Sequence, residues 1–254
     1  MTYRITRRSI LAALTAAALM PRAAFAQENK GRVLVLGATG RIGRFIAETI
    51  REAGYTVRGV TRDAARAESR WPRMYEWVEA DVRDPRTLTA PLEGVDYIVS
   101  SIRSSEWSGP YNPEFVDYVG IRNLVDAAKA AHIKHFVLVS TATSGPQVDQ
   151  SQNPAKNYVR YFKTKGEEYV RESGLSWTII APGRVPEEPG GQTGMILHAR
   201  KDYFISNIAA GDVALVALDA LTNPAARGKA FALRNDPDVP LDAWRDQYAG
   251  LPDK

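Results

Sequence analysis

Residues 31–53 read GRVLVLGATGRIGRFIAETIREA, and this stretch decides the fold. Arg32–Leu36 is an apolar, β-branched run that reads as a strand. Arg41–Ala53 switches to helical spacing of its apolar positions. Between them Gly37, Gly40 and Gly43 form the pattern G-x-x-G-x-x-G. Each glycine has its own task in such a turn: Gly37 in the tight exit from the strand, Gly40 in close approach of backbone to a pyrophosphate, Gly43 in packing helix against sheet. An anion seated there meets the free N–H groups of the helix N-terminus. Thr56–Thr61 reads as a second strand, so the loop sits inside a complete strand–helix–strand unit. Gly37, Ala38, Thr39, Gly40, Arg41, Ile42 and Gly43 are therefore candidate phosphate-binding residues of a dinucleotide site.

Outward from this unit, strand and helix patterns alternate as far as Gly183. Tyr75–Ala80, Asp96–Ser100, Phe136–Ser140 and Trp177–Ile180 read as further strands, and Phe115–Ala131 and Tyr158–Glu172 as helices. The alternation predicts an α/β fold, a Rossmann-type doubly wound parallel sheet with right-handed crossovers. After Pro182 the pattern loosens. Pro186–Gly194 holds two prolines and three glycines and reads as a loop. Tyr203–Ser206 and Lys229–Leu233 read as strands, Asp212–Leu221 as a helix between them, and Leu241–Tyr248 as a last helix. The stretch from about residue 184 is expected to form a small substrate-side region of the same domain.

A hydrophobic content of 44% with 24% charged residues fits an ordinary globular domain. The net charge of +4 does not belong to that domain. Arg4, Arg7, Arg8 and Arg22 all precede residue 27 in a segment without an acid, and removing these four of the 33 basic residues leaves 29 against 29 acidic ones. No basic run interleaved with aromatics follows, which argues against a nucleic-acid partner. The absence of cysteine excludes disulfides and thiolate chemistry. His132, His135 and His198 lack the spacing of metal ligands, and no metal site is expected. Thr6-Arg7-Arg8-Ser9-Ile10-Leu11 resembles the twin-arginine export motif, followed by an apolar stretch to Met20 and the small-residue site Ala24-Phe25-Ala26. An apolar core of 11 residues falls short of the roughly 20 that span a bilayer. Residues 1–26 are thus expected to be a cleaved signal that sends a folded domain, residues 27–254, to the periplasm without stable membrane insertion.

Ligands of open α/β sheets bind outside the carboxyl ends of the strands. Asp81 and Val82 follow the third strand, where a short acid meets an adenine, and Ser100 and Ser101 end the fourth. Ser140 ends the fifth. Thr61 ends the second strand, where an NAD-selective site carries an acid, and Arg62 follows it. A guanidinium there grips a 2′-phosphate with paired charge-assisted bonds, which predicts NADP as cofactor. NAD stays open if the strand runs on and Asp63 reaches the ribose; alternatively Asp63 caps a helix beginning at Ala64.

Together these segments resemble the atypical short-chain dehydrogenase/reductases, in particular their NAD(P)H-binding, NmrA-like group. The resemblance runs from Gly31 to about Leu233 and rests on VLVLGATGRIGR, on YVGIRNL (118–124) leading into AAKAAHIKHFVLVST, and on SGLSWTIIAPG (173–183). It implies an NAD(P)H-dependent oxidoreductase acting on a small carbonyl, quinone or flavin. The group also holds non-catalytic NADP(H)-binding sensors and scaffolds, which is the alternative. Epimerase or dehydratase chemistry is a third reading, against which the short C-terminal region counts. Two departures stand out. Where the group reads RPG beside the cofactor, this chain has Ala181-Pro182-Gly183, leaving Pro182 as the expected cofactor contact. Active members carry Tyr-x-x-x-Lys, and the family register places Val159 and Lys163 there; the spacing itself is met two residues later by Tyr161 and Lys165. A shift of two residues turns a helix by about 200°, so only one pair faces the site. At Tyr161 and Lys165 the expected chemistry is a phenol donating a proton, its pKa lowered by the ammonium, with Ser140 holding the substrate oxygen. Tyr158 is a second candidate acid, and Trp107 a candidate pocket wall.

Overall fold

The computed structural model describes residues 30–72, 74–146, 148 and 158–252. The expected signal over residues 1–26 lies outside the described residues. The chain forms β1 (Arg32–Leu36), α1 (Gly43–Glu52), β2 (Thr56–Thr61), α2 (Ala64–Arg70), β3 (Glu76–Glu79), a short α3 (Thr89–Leu92) and β4 (Tyr97–Ser100). A π-helical stretch, Glu114–Gly120, leads into α4 (Ile121–Ala130) and β5 (His135–Val139). Then come α5 (Tyr158–Glu172), β6 (Trp177–Pro182), β7 (Met195–Ala199), α6 (Ala210–Ala220) and β8 (Lys229–Asn235).

The strands build one eight-stranded sheet in the order β3-β2-β1-β4-β5-β6-β8-β7. All neighbours are parallel except β7 and β8. Chain order runs one way from β1 to β3 and the other way from β4 to β6. The reversal lies between β1 and β4 and leaves a crevice at their carboxyl ends, the ligand position of doubly wound sheets.

The composition of β1 follows from this centrality. Val33 and Val35 join the buried layer of α1 and α6, while Leu34 and Leu36 join the opposite layer with Leu124 of α4 and Val170 of α5. A strand covered on both faces has no polar side to display. Each such side chain contributes roughly 1.5–3 kcal/mol by leaving water.

The C-terminal region departs from its sequence pattern in one element. The expected strand at Tyr203–Ser206 is absent, and the strand is Met195–Ala199 instead, paired antiparallel to β8. Aromatic and β-branched composition gave the strand signal, but Phe204 is 57% and Ile205 73% exposed and no strand lies beside them except for a bridge between Arg184 and Asn207. The last turns, Ala243–Gly250, are 3₁₀-helical and bury Trp244 and Tyr248. Helix α6 packs on α1, so this region completes the main core. Among the described residues no helix is long and apolar enough to cross a membrane.

Candidate active site

The glycine loop is built for an anion. Gly37 has φ 82°, and a Cβ at Gly43 would lie 2.0 Å from the Gly37 carbonyl oxygen. Only glycine lets α1 start so close to the strand. The helix begins at Ile42 with no side-chain cap and no acid in its first turn. The Arg44 N–H donates to the Gly40 carbonyl at 3.1 Å, whereas those of Arg41, Ile42 and Gly43 have no backbone acceptor among the described residues and are left for a phosphate, so the residues present fit a dinucleotide. Ala38 and Gly43 are buried and shape the turn without lining it. Arg41 and Arg44 flank the loop, and both pair with Glu187 of the loop after β6, Arg41 at 3.9 Å and Arg44 through Nη2 to Oε2.

From this loop a first cleft of about 460 Å³ runs over the ends of β2 and β3. Its walls include Gly37, Thr39, Gly40, Asp81, Val82 and Ser101, together with Arg62, Arg66, Arg70 and Tyr111. The Arg62 guanidinium lies 4.2 Å and that of Arg83 3.7 Å from the Tyr111 ring centre. Strand β2 stops at Thr61, and the Asp63 carboxylate accepts the Arg66 N–H at 2.9 Å, so this acid is committed to capping α2. Arg66 and Arg70 escaped the sequence reading; their signal is the four-residue spacing that puts both on one face of α2, just after Arg62. Asp81 accepts the Arg83 N–H at 3.0 Å and its guanidinium Nη2 at 2.5 Å, and this pairing holds its carboxyl below the usual range. Ser100 is fully buried and lines neither cleft, because side chains alternate along a strand and Ser101 takes the outward place.

A second, wider cleft of about 800 Å³ opens at the ends of β5 and β6. Arg41, Ile42, Ser101 and Pro182 border it on the cofactor side, and Ser140, Thr141, Trp107 and Asn207 line it further out. Helix α5 presents Val159, Arg160 and Lys163 to it. Tyr161 and Lys165 are not among its walls. The Tyr161 ring instead packs edge-on against Phe162 at 5.1 Å, and the Lys165 ammonium lies 5.3 Å from the Tyr161 ring. The structure thus brings the family register, Val159 and Lys163, to the cleft. Tyr158 also stands outside the lining, 5.8 Å from the Trp107 ring.

Lys163 is held from below. Its Nζ pairs with Asp117 Oδ1 at 2.8 Å, and the Asp117 side chain is wholly buried in the π-helical stretch. The other carboxylate oxygen accepts the Ser104 N–H at 3.2 Å. A Cβ at Gly166 would lie 2.4 Å from the Asp117 carbonyl oxygen, so the approach that joins α5 to this stretch needs glycine at that point. Ser140 is also engaged from below. Its Oγ donates to Glu167 Oε1, which accepts Ser144 Oγ at 2.5 Å as well. The buried Glu167 pairs with Arg200 at 3.2 Å, and Arg200 donates to the Thr141 carbonyl at 2.8 Å. Sequence reasoning missed Asp117, Glu167 and Arg200, which act from distant segments with no local motif.

Residues 37–224 match the model of the NAD(P)H-binding family. The chain belongs to that family. Among curated relatives, it is 31% identical over 206 residues to an NAD(P)H azoreductase of Xenophilus azovorans, covering 78% of this chain and 66% of that one. It is 28% identical to sanguinarine reductase of Eschscholzia californica, covering 86% and 94%. Among solved structures, a putative NAD-dependent epimerase/dehydratase from Bacillus halodurans superposes with a TM-score of 0.74 at 23% identity, over 85% of this chain and 99% of that one. That structure speaks for the fold alone. The family match spans the glycine loop and, Leu36 apart, the walls of both clefts.

Proposed function

We propose that this chain is an NADPH-dependent reductase of a small conjugated acceptor such as a quinone or flavin, and not of a simple carbonyl. The observation that carries the reading is Val159 beside Lys163 at the second cleft. A bound nicotinamide cofactor supplies the hydride. Hydride delivered to a simple carbonyl leaves an alkoxide, which needs an acid in place. Among the described residues lining this cleft there is no tyrosine and no histidine. The Ser140 proton is committed to Glu167 and the Lys163 ammonium is paired with Asp117. An acceptor that spreads the incoming charge over a conjugated system takes its proton from water and tolerates such walls. Lys163, fixed by Asp117, offers an N–H to a ligand hydroxyl, and Ser140 offers a lone pair. The reductases among the relatives are consistent with this reading.

NADP is favoured over NAD because Arg62, Arg66 and Arg70 converge on the first cleft while Asp63 caps α2. The test is NADPH oxidation by a quinone and by a simple aldehyde. Quinone turnover should exceed aldehyde turnover by about a hundredfold, the low end of what a missing general acid costs; equal rates overturn the reading. Tight NADPH binding with no turnover of any acceptor would instead favour a sensor or scaffold, a role that a cleft without a proton donor also suits. On the pattern at residues 6–11 we further propose export to the periplasm by the twin-arginine route. Mature protein in the periplasm of an Arg7→Lys, Arg8→Lys strain would count against it.

A further inference from the structure

The second cleft holds more positive charge than a dinucleotide uses. Five cations line it, Arg41, Arg103, Arg160, Lys163 and Arg184, against one acid, Glu106. Two of the five are already neutralised: Arg41 faces Glu187 at 3.9 Å and Lys163 faces Asp117 at 2.8 Å. Glu106 is occupied by the Tyr111 N–H at 3.1 Å. Arg103 lines both clefts and so faces the strip where they join, where it would serve a cofactor lying across them. Arg160 and Arg184 remain. One comes from the first turn of α5 and the other from the segment after β6, so they reach the cleft from two separate walls. Both are exposed, and no ion pair with either is found among the described residues. On the same cleft Trp107 leaves 66% of its surface in water, although a large aromatic side chain gains by burial.

We infer that Arg160 and Arg184 form an anion-binding subsite, and that the acceptor is a planar conjugated molecule carrying a carboxylate, sulfonate or phosphate. This rests on the proposed reductase function and names the substrate class of the same site. A guanidinium offers two parallel N–H groups to such an anion and also stacks on flat rings, so two arginines and a tryptophan suit a flat, charged ligand. The cleft is wide enough for one, at about 800 Å³. A neutral acceptor makes no ion pair with either guanidinium, which is a reason for selectivity between charged and neutral acceptors.

The experiment compares a naphthoquinone sulfonate with the unsubstituted naphthoquinone, using the full folded protein and saturating NADPH. The readout is the ratio of their kcat/KM values in wild type and in the Arg160→Gln, Arg184→Gln double variant. The ratio should fall at least about tenfold in the variant, through KM for the sulfonate, since each charge-assisted bond lost contributes over 1.4 kcal/mol, or one factor of ten. It should also shrink in wild type as salt is raised. A ratio unchanged by the substitutions overturns the subsite while leaving the reductase reading intact. If neither quinone is reduced, tryptophan quenching by naphthoate and by naphthamide, with NADP present, decides the subsite separately. Tighter binding of naphthoate that is lost in the double variant supports it; equal binding of the two, or none, overturns it. Matching thermal melts of wild type and variant exclude misfolding as the cause.

Discussion

The two clefts lie side by side at one end of the sheet but are assembled in different ways. The first is walled by one continuous part of the chain, from Leu36 to Val116. Three of its guanidiniums stand close together in sequence, Arg62 in the turn after β2 and Arg66 and Arg70 on the short helix α2 that follows. The second draws on segments from Arg41 to Asn207, and its polar groups are set by partners far away in sequence: Lys163 by Asp117, Ser140 by Glu167, Glu167 by Arg200. The first therefore has charges waiting for a ligand, whereas several charges of the second are already used to hold the walls. The lesson is that cofactor recognition can be local while the surroundings of the reacting centre are a property of tertiary packing.

The largest expected effect tests the claim that cations in the second cleft serve the fold. Lys163→Ala strands the fully buried Asp117 carboxylate, with the Ser104 N–H as its remaining partner. Breaking a buried pair from one side costs about 3–5 kcal/mol, so urea denaturation should show a loss of that size. Arg62→Ala, at an exposed position, should change stability by no more than about 0.5 kcal/mol. Similar losses for both would erase the distinction.

How much of this was legible in the sequence follows the same division. Strand β1, the glycine loop and β2 were read at their observed bounds because one apolar run and three glycines admit few other structures. The Asp63 cap was readable as one of two alternatives, since an acid just before a helix has a local use. The register on α5 was not readable. Tyr161 with Lys165 satisfies the i, i+4 spacing, and Val159 with Lys163 satisfies the family alignment; which pair faces the cleft depends on Gly166 against the Asp117 backbone, a contact between residues 49 positions apart in sequence. The misplaced strand at Tyr203–Ser206 has the same origin, because a strand needs a partner edge and local composition does not supply one.

The next effect concerns the first cleft alone. Arg62→Ala and Arg66→Ala should each weaken NADPH binding by about ten- to a hundredfold, from roughly 1.5–3 kcal/mol per charged hydrogen bond. NADH, lacking the 2′-phosphate, should lose far less. Titration of both cofactors by fluorescence separates the outcomes, and equal losses would show that these arginines do not read the phosphate.

Val159→Tyr sharpens the contrast from the other side. It places a phenol one helical turn before Lys163, the arrangement that the cleft lacks. Aldehyde reduction should rise by about tenfold, a modest part of what a well-placed general acid supplies. No gain would mean that the acceptor, and not the missing acid, limits carbonyl chemistry.

The amino end of the sheet serves as a control, because neither cleft reaches it. There His135 is buried between Ser176 Oγ at 2.8 Å and Thr178 Oγ1 at 2.9 Å, and burial lowers its pKa to about 4 from 6.5. The unfolded chain then binds the proton first as pH falls. Stability should be level above pH 6.5 and decline below it, by about 1.4 kcal/mol at one unit lower. Burial depresses His198 in the same direction, so the comparison is with His135→Gln, whose stability should decline less steeply over this range. Parallel curves for the two proteins would assign the acid sensitivity to other groups.

The smallest expected effect is the sharpest test of the register. Tyr161 and Lys165 have the residue types and the spacing for proton transfer, and only their direction disqualifies them. On α5, positions 159 and 163 share the face that lines the cleft, and position 161 lies about 200° from 159. The Tyr161 ring spends its surface on Phe162, which is itself buried, and on the Lys165 ammonium. Tyr161→Phe keeps the ring and removes the hydroxyl, so packing survives and any role in proton transfer is lost. A general acid removed in this way costs about a hundredfold or more in turnover. A tyrosine on the far face should cost less than about twofold in kcat for a quinone, with the pH–rate profile unmoved. A hundredfold loss, or a basic limb that vanishes from the profile, would return the donor to Tyr161 and require α5 to turn toward the cleft when ligand binds.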